Sequence, residues 1–444
     1  MKLGIKHQMI VVCVLLTSIF LLECKKEGIE PEPEPEDTIK VVVIEKANYY
    51  VATNGSDSNA GTINAPFANL LTAMKLANAG DLIYVRGGTY YLSARLSVPV
   101  GKSGTSDNLI RVFAFPGEKP VFTGSGTFKD QYGIQMKNSS YWHFKGIRIT
   151  GIKQLESGSL TNAFRIDDSN YNIFEEIVAD HNGGTGLYIH GNSNGNLVLN
   201  TDSHNNYDPY TPGYAGGNAD GFAMGYNPNQ SAVNTFSGCR SWNNSDDGYD
   251  LWRNDGTVVF ENSWAFWNGR LPDSTEFAAD GSGFKLGKTD TFSDGKVRRI
   301  LKNNLAFENR KVAFYQNANH HNMLLLNNTS YKNGGAGFYA NQFPEENVVH
   351  VLKNNLSYLD EVAYKFVPTV QQKNNSWNSA TVSSDDFLSV SSVGADGPRD
   401  LDGSLPVLNF MKLKSGSDLI DKGVDVGFPY NGKAPDIGAF EFKK

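Results

Sequence analysis

Ser241-Trp242-Asn243-Asn244-Ser245-Asp246-Asp247-Gly248-Tyr249-Asp250-Leu251 is the stretch that decides the fold. Its skeleton is a small residue, two variable residues, an asparagine, then four residues later Gly or Ala followed by a large apolar side chain. The skeleton returns along the chain. The asparagines are Asn182, Asn206, Asn244, Asn268, Asn309 and Asn333, each with Ala or Ser three residues before it. The anchors are Ala163, Gly186, Gly221, Gly248, Gly283, Ala313, Gly337 and Ala363. Asn182 to Asn206, Asn244 to Asn268 and Asn309 to Asn333 are each 24 residues apart. The step from asparagine to anchor is 4 residues at Asn182, Asn244, Asn309 and Asn333 but 15 at Asn206 and Asn268, so two repeats carry an 11-residue insertion at the same point. A period of about 20–25 residues marks a solenoid whose units stack to share one core. Leucine at fixed positions is absent. A recurrent turn asparagine instead suits a parallel β-helix, because its amide can satisfy backbone groups of its own rung and the next.

Alternation along a strand then assigns the faces. One residue after each anchor come Leu187, Phe222, Tyr249, Phe284, Phe314 and Phe338, which point inward. Three after it come Ile189, Met224, Leu251, Leu286, Gln316 and Ala340, also inward. The outward columns carry the chemistry. Asp220 and Asp247 precede their anchors on consecutive rungs, with Asp246 beside them. Asp250 and Lys285 share the second position after the anchor, and Arg253 and Lys288 the fifth. Arg310, Lys311 and Tyr315 follow one rung beyond Lys285. Four carboxylates within two rungs repel one another unless a cation neutralises them. An all-oxygen set without His or Cys suits Ca2+ better than a transition metal. A single such Asp would be a solvated turn residue; the cluster beside Lys285 is a candidate site. His320-His321 reads as a turn pair, and Trp242 and Trp252 read as packing residues.

The chain resembles polysaccharide lyase family 9, the calcium-dependent pectate and rhamnogalacturonan lyases. The resemblance rests on Asn218-Ala219-Asp220-Gly221-Phe222, on Ser245 to Trp252, and on Gly283-Phe284-Lys285-Leu286-Gly287. Tyr50 to Tyr90 and Pro435 to Glu441 look like flanking parts of the same kind of lyase, so it covers most of residues 48–444. It implies a right-handed helix, Ca2+ on Asp220, Asp246, Asp247 and Asp250, Lys285 as catalytic base, and an acidic plant cell-wall polysaccharide as partner. The implied reaction is β-elimination on a galacturonate-containing chain. Arg253, Lys288, Arg310 and Tyr315 are candidate substrate contacts. Because few cations lie near Lys285 and tyrosines line the neighbouring outward positions, the expected substrate is rhamnogalacturonan I, with homogalacturonan as the alternative. A polygalacturonase-like hydrolase using the same aspartates lacks its Gly-His-Gly and Arg-x-Lys motifs here. A non-catalytic glycan-binding β-helix would have no need of Lys285.

The remaining sequence frames this all-β domain, placed at 47–444. Pro66 to Ala79, with Leu70, Leu71, Met74, Leu76 and Ala77 on one face, predicts a helix that caps the solenoid at its N-terminal end. Residues 1–24 read as a signal peptide, with Lys2 and Lys6 before an apolar run of 14 residues, Met9 to Leu22. Leu21-Leu22-Glu23-Cys24 resembles a lipobox, although Glu23 stands where a small residue is usual. Residues 25–46, with alternating Pro and Glu, read as an extended tether. The expectation is an exported, monomeric lipoprotein of the outer membrane, facing the cell surface or periplasm, whose only membrane contact is that lipid. A net charge of −7 argues against a nucleic-acid partner. Three cysteines, two of them at the N-terminus, leave Cys239 without an internal disulfide partner.

Overall fold

The computed structural model describes residues 44–156, 160–228, 232–340 and 348–443. The stretches read as signal peptide and lipobox, and all of the expected tether except residues 44–46, lie outside the described residues. Among the described residues no helix is long and apolar enough to cross a membrane.

Every strand in the three sheets pairs in parallel with its neighbour one rung away, and the chain climbs as a right-handed β-helix. One sheet has twelve strands, from Tyr49–Val51 to Gln371–Lys373. The second, which bears the candidate site, has ten, from Leu96–Ser97 to Val362–Phe366. The third has ten, from Gly88–Leu92 to Leu356–Tyr358. The predicted register holds: Leu187, Phe222, Tyr249, Phe284, Phe314 and Phe338 are paired partners in successive strands. Their rings form an internal ladder, with centroids 5.1 Å apart for Phe222 and Tyr249, 4.5 Å for Tyr249 and Phe284, and 5.2 Å for Phe284 and Phe314. Those spacings are close to the strand separation, so backbone pairing and aromatic stacking favour the same register.

The asparagine column forms a continuous ladder inside one corner. Each amide nitrogen donates to the next asparagine's Oδ1: Asn182 to Asn206 (3.1 Å), Asn206 to Asn244 (2.8 Å), Asn244 to Asn268 (3.1 Å), Asn268 to Asn309 (3.0 Å) and Asn309 to Asn333 (2.9 Å). The residue before each rung's asparagine turns the chain in the left-handed region: His181, Asn205, Asn243, Trp267, Glu308 and Lys332 all have φ between 52° and 56°. That conformation costs a non-glycine residue about 1 kcal/mol, and the buried amide bonds at the corner offset it. The other two corners carry shorter ladders, Asn172–Asn196–Asn234 and Asn304–Asn328–Asn355–Asn375.

The coiling begins at Tyr49, inside the domain placed at 47–444 and ahead of the first anchor, Ala163, because the early rungs have no ladder asparagine to reveal them. The stretch from Trp142 to Thr150 forms two strands, Trp142–Lys145 and Arg148–Thr150, on different sheets. Gly146 between them turns the corner at φ 73°, and a Cβ there would meet Ala114 Cβ at 2.9 Å. The N-terminal helix is shorter than predicted, Leu70–Leu76. Leu70, Ala73, Met74 and Ala77 join the core with Val51, Ile83 and Val85 of the first rungs, whereas Leu76 is 48% exposed. After Lys373 the chain runs back along the third sheet. Phe387, Phe410, Met411, Leu419 and Ile437 bury Trp264, Phe266, Phe307 and Tyr331, and also Trp242.

Candidate active site

The site lies on the outward face of the second sheet, where short strands Phe222–Gly225, Tyr249–Asp250 and Phe284–Lys285 stack. Asp250 and Lys285 are register partners, as the column predicts. Lys285 Nζ lies 2.8 Å from Asp247 Oδ2 and 3.1 Å from Asp250 Oδ2. Asp247 Oδ1 accepts a hydrogen bond from the Ser282 amide at 2.6 Å, and Asp220 Oδ1 one from the Asp247 amide at 3.3 Å. Thr185 Oγ1 donates to Asp220 Oδ2 at 3.4 Å. These backbone anchors come from the turn that enters each strand, so the rung repeat itself aims the carboxylates.

Asp220, Asp246 and Asp247 each present an oxygen within 4.8 Å of the others, and all three are buried. Asp250 stands outside this trio, turned to Lys285. Buried oxygens Asp246 Oδ1 and Asp250 Oδ1 have no hydrogen-bond donor, and Asp247 Oδ2 meets Lys285 without hydrogen-bond geometry. Buried carboxylate oxygens left without donors are a strong departure from ordinary protein interiors. A hard divalent cation fits this all-oxygen pocket.

Electrostatics tell the same story. Burial, and then repulsion from Asp250 and Asp247, holds the Asp220 carboxyl well above its usual range. Burial and the charges of Asp247 and Asp220 do the same to Asp246. Burial lifts Asp250 to about 6, against the pull of Lys285. For Lys285 burial favours the neutral amine, but attraction from Asp247, Asp250, Asp246 and Asp220 outweighs it and raises the ammonium well above the ordinary lysine value. One buried cation therefore faces four acids that it cannot fully neutralise.

The outlying candidates divide. Arg253 binds both oxygens of Asp290 at 2.9 Å and lies 4.8 Å over the Tyr226 ring. Arg310 donates to the Ala278 and Ala279 carbonyls and lies over Phe277, so it fastens the second insertion rather than facing the groove. Tyr315 is the register partner of Lys285 and meets Tyr339 edge-on. Lys288 is exposed, 5.7 Å from the Trp252 ring. Trp252, expected to pack, is 43% exposed and lines the groove with Tyr188, Asp220, Asp250 and Lys285. Sequence reasoning also missed Arg165, which occupies the Lys285 column three rungs before Asp250. It is buried, pairs with Asp167 at 2.8 Å and covers the Tyr188 ring at 4.4 Å. Carrying the column back to the Ala163 anchor finds it.

Both insertions stand beside the aspartates. Gly216 O of the first accepts from Ser245 Oγ, and the Ala279 amide of the second donates to Ser245 O. The second is also tied on its far side, where His181 sits between Asp180 (2.7 Å) and Asp273 (2.8 Å). The hydrogen bond to Asp180, opposed by burial and aided by Asp273, lifts His181 from 6.5 to about 9. A raised histidine pKa stabilises the fold below about pH 6.5, and the gain is lost as pH rises through about 9. His181→Gln is therefore expected to lower Tm by about 1–2 °C at neutral pH and by nothing above that range. Melting curves of both proteins across pH check this; a deficit independent of pH contradicts it.

A right-handed β-helix with a buried aspartate cluster and a lysine on its outward face has the architecture of a polysaccharide lyase. A family described as "Pel9A-like, right handed beta helix region" matches residues 49–355. The chain is 37% identical over 410 residues to pectate lyase L of Dickeya chrysanthemi, covering 89% of this chain and 91% of that one. The crystal structure of pectate lyase Pel9A superposes with a TM-score of 0.74 at 35% identity, covering 89% of this chain and 96% of that one. A solved rhamnogalacturonan lyase gives 0.69 at 29%, covering 83% and 96%. The chain belongs to this Pel9A-like family, polysaccharide lyase family 9, and is a lyase.

Proposed function

We propose that the chain is a pectate lyase, cleaving unesterified homogalacturonan by β-elimination. Lys285 is the base, and Asp220, Asp246 and Asp247, joined by Asp250, hold Ca2+. The observation that carries this reading is the buried trio of acids on the two rungs before a lysine that shares its column with Asp250. The sequence alone favoured rhamnogalacturonan I; similarity to pectate lyases over nearly the whole chain favours the alternative. The solved rhamnogalacturonan lyase keeps the first choice as a second reading.

Lys285 Nζ takes the proton from C5 of a galacturonate. The C–H electron pair becomes the C4=C5 double bond, the C4–O4 bond breaks, and O4 takes a proton from water, leaving a 4,5-unsaturated uronate. Bound Ca2+ supplies Lewis-acid stabilisation of the negative charge that builds on the sugar carboxylate. Lys285 must be neutral to act, yet the free carboxylates hold it as ammonium. Asp220, Asp246, Asp247 and Asp250 are the residues that would hold the cation, and their commitment to it would weaken that hold. Gly217 and Asn218 of the first insertion line the groove beside Asp220.

The test compares kcat/KM on de-esterified homogalacturonan and on rhamnogalacturonan I at one pH and Ca2+ concentration, read as new ultraviolet absorbance. At least about tenfold preference for homogalacturonan is expected, a difference of about 1.4 kcal/mol in transition-state binding. The reverse preference restores the second reading.

A further inference from the structure

Beside the acid cluster, two exposed aromatics stand on adjacent rungs of the same groove. Tyr226 is 45% exposed and Trp252 43%, and both line the depression that holds Asp220, Asp250 and Lys285. Large aromatics that remain half-exposed next to a reacting centre are poor packing residues and good platforms for the apolar face of a sugar ring. Each has a cation over it, but the two cations differ. Arg253 over Tyr226 is held by both oxygens of Asp290, so its charge is already answered. Lys288 over Trp252 is exposed and makes no ion pair among the described residues. Lys288 also lies on the strand-end side of the rung that carries Lys285, three residues further on. It follows the end of the strand Phe284–Lys285, so it stands off from the reacting centre, beside the Trp252 ring.

The geometry points to a uronate-binding subsite made by Trp252 and Lys288: the indole takes the face of a sugar next to the cleaved bond, and the ammonium takes that sugar's carboxylate. Tyr226 with Arg253 makes an adjoining platform whose cation is neutralised, and which therefore reads shape but not charge. The subsite rests on the pectic reading above and deepens it, because it requires a carboxylate on a sugar adjacent to the one deprotonated. Homogalacturonan offers that carboxylate at every position. A backbone alternating with neutral sugars does not.

Binding of a short oligogalacturonate and of its methyl ester to the full chain tests the subsite, with Lys285→Ala as the background so that neither is consumed and Ca2+ constant. Lys288→Gln is expected to weaken the free acid about tenfold and leave the ester unchanged within about twofold, since a charge-assisted contact is lost only where a charge exists. Lys288→Arg should restore the free acid. Trp252→Ala should weaken both ligands by about tenfold, because the ring contact ignores esterification. Raised salt should narrow the gap between acid and ester in the parent but not in Lys288→Gln. Equal weakening of both ligands by Lys288→Gln, or no effect of either substitution, overturns the subsite while leaving the pectic reading in place. Failure of the Lys285→Ala background to bind the free acid at all, together with failure of the unsubstituted protein to cleave it, overturns the pectic reading and the subsite with it.

Discussion

Lys285→Ala is expected to lower kcat by about 10³-fold or more, at the upper end of what a positioned general base contributes. Ca2+ affinity should stay the same or rise, which separates this outcome from simple damage to the site. The Lys285 side chain is 14% exposed and lies between Asp247 and Asp250, so its ammonium competes with any cation for those oxygens. Removing it takes away the competitor. Lys285→Arg should be nearly as inactive, because a guanidinium keeps the charge but stays protonated in any usable pH range. Progress curves of the ultraviolet absorbance of the unsaturated product and calorimetric Ca2+ titration of each variant check the pair of claims. Parent-like activity in Lys285→Ala removes the base from Lys285, and a collapse of Ca2+ binding makes its role structural.

Much of the fold was legible because the rungs repeat their chemistry. Asn244 and Gly248 set a frame that placed Tyr249 inside and Asp250 outside, and the register pairs are those the frame requires. The same frame was blind before the Ala163 anchor: Ser139 starts a different, short column with Ser169 and Ser193, and Gly146 turns a corner where the next rungs carry Glu176 and Asn200 instead of glycine. The second and third asparagine ladders were within reach, since Asn172 to Asn196 and Asn304 to Asn328 repeat the 24-residue step. The site was legible as columns but not as contacts. Counting positions put Arg253, Lys288 and Arg310 in the groove with equal weight. Only coordinates show that Asp290 takes the first, and the backbone of the second insertion takes the last. Trp252 was misread because a tryptophan's exposure depends on what stands across from it. Here its neighbour across the strand end is Gly225, too small to cover a ring; a Cβ on Gly225 would meet Trp252 O at 2.5 Å.

Asp246→Asn separates the two things the acid cluster does. Asp246 is 5% exposed, has one buried oxygen without a donor, and is not paired with Lys285. In the metal-free protein its charge is therefore a burden: it repels Asp247 and Asp220 and gains little in return. The neutral amide should stabilise that state by about 1 kcal/mol, visible as a higher Tm in chelator. With Ca2+ the order should reverse. A cation at one hundred times its dissociation constant adds about 2.7 kcal/mol to the parent, or about 5 °C for a chain of this length. The variant, short of one anionic ligand, should gain little. Activity should follow the metal and not the Tm. Chelation of the parent should lower turnover by about 10²-fold or more, with Ca2+ restoring it and Mg2+ restoring it poorly, because Mg2+ demands tighter octahedral geometry and keeps its water. Asp246→Asn should resemble the chelated parent even in excess Ca2+. Melting curves and initial rates with chelator, Ca2+ and Mg2+ check all of it. Full activity of the parent after thorough metal removal contradicts the cation's role, and a variant less stable than the parent in chelator shows that Asp246 supports the fold instead. A sequence free to optimise stability alone would not keep four aspartates around one lysine in a buried pocket. Their presence in this geometry is what a site shaped by the charge of its ligand looks like, since a bound cation would relieve the repulsion.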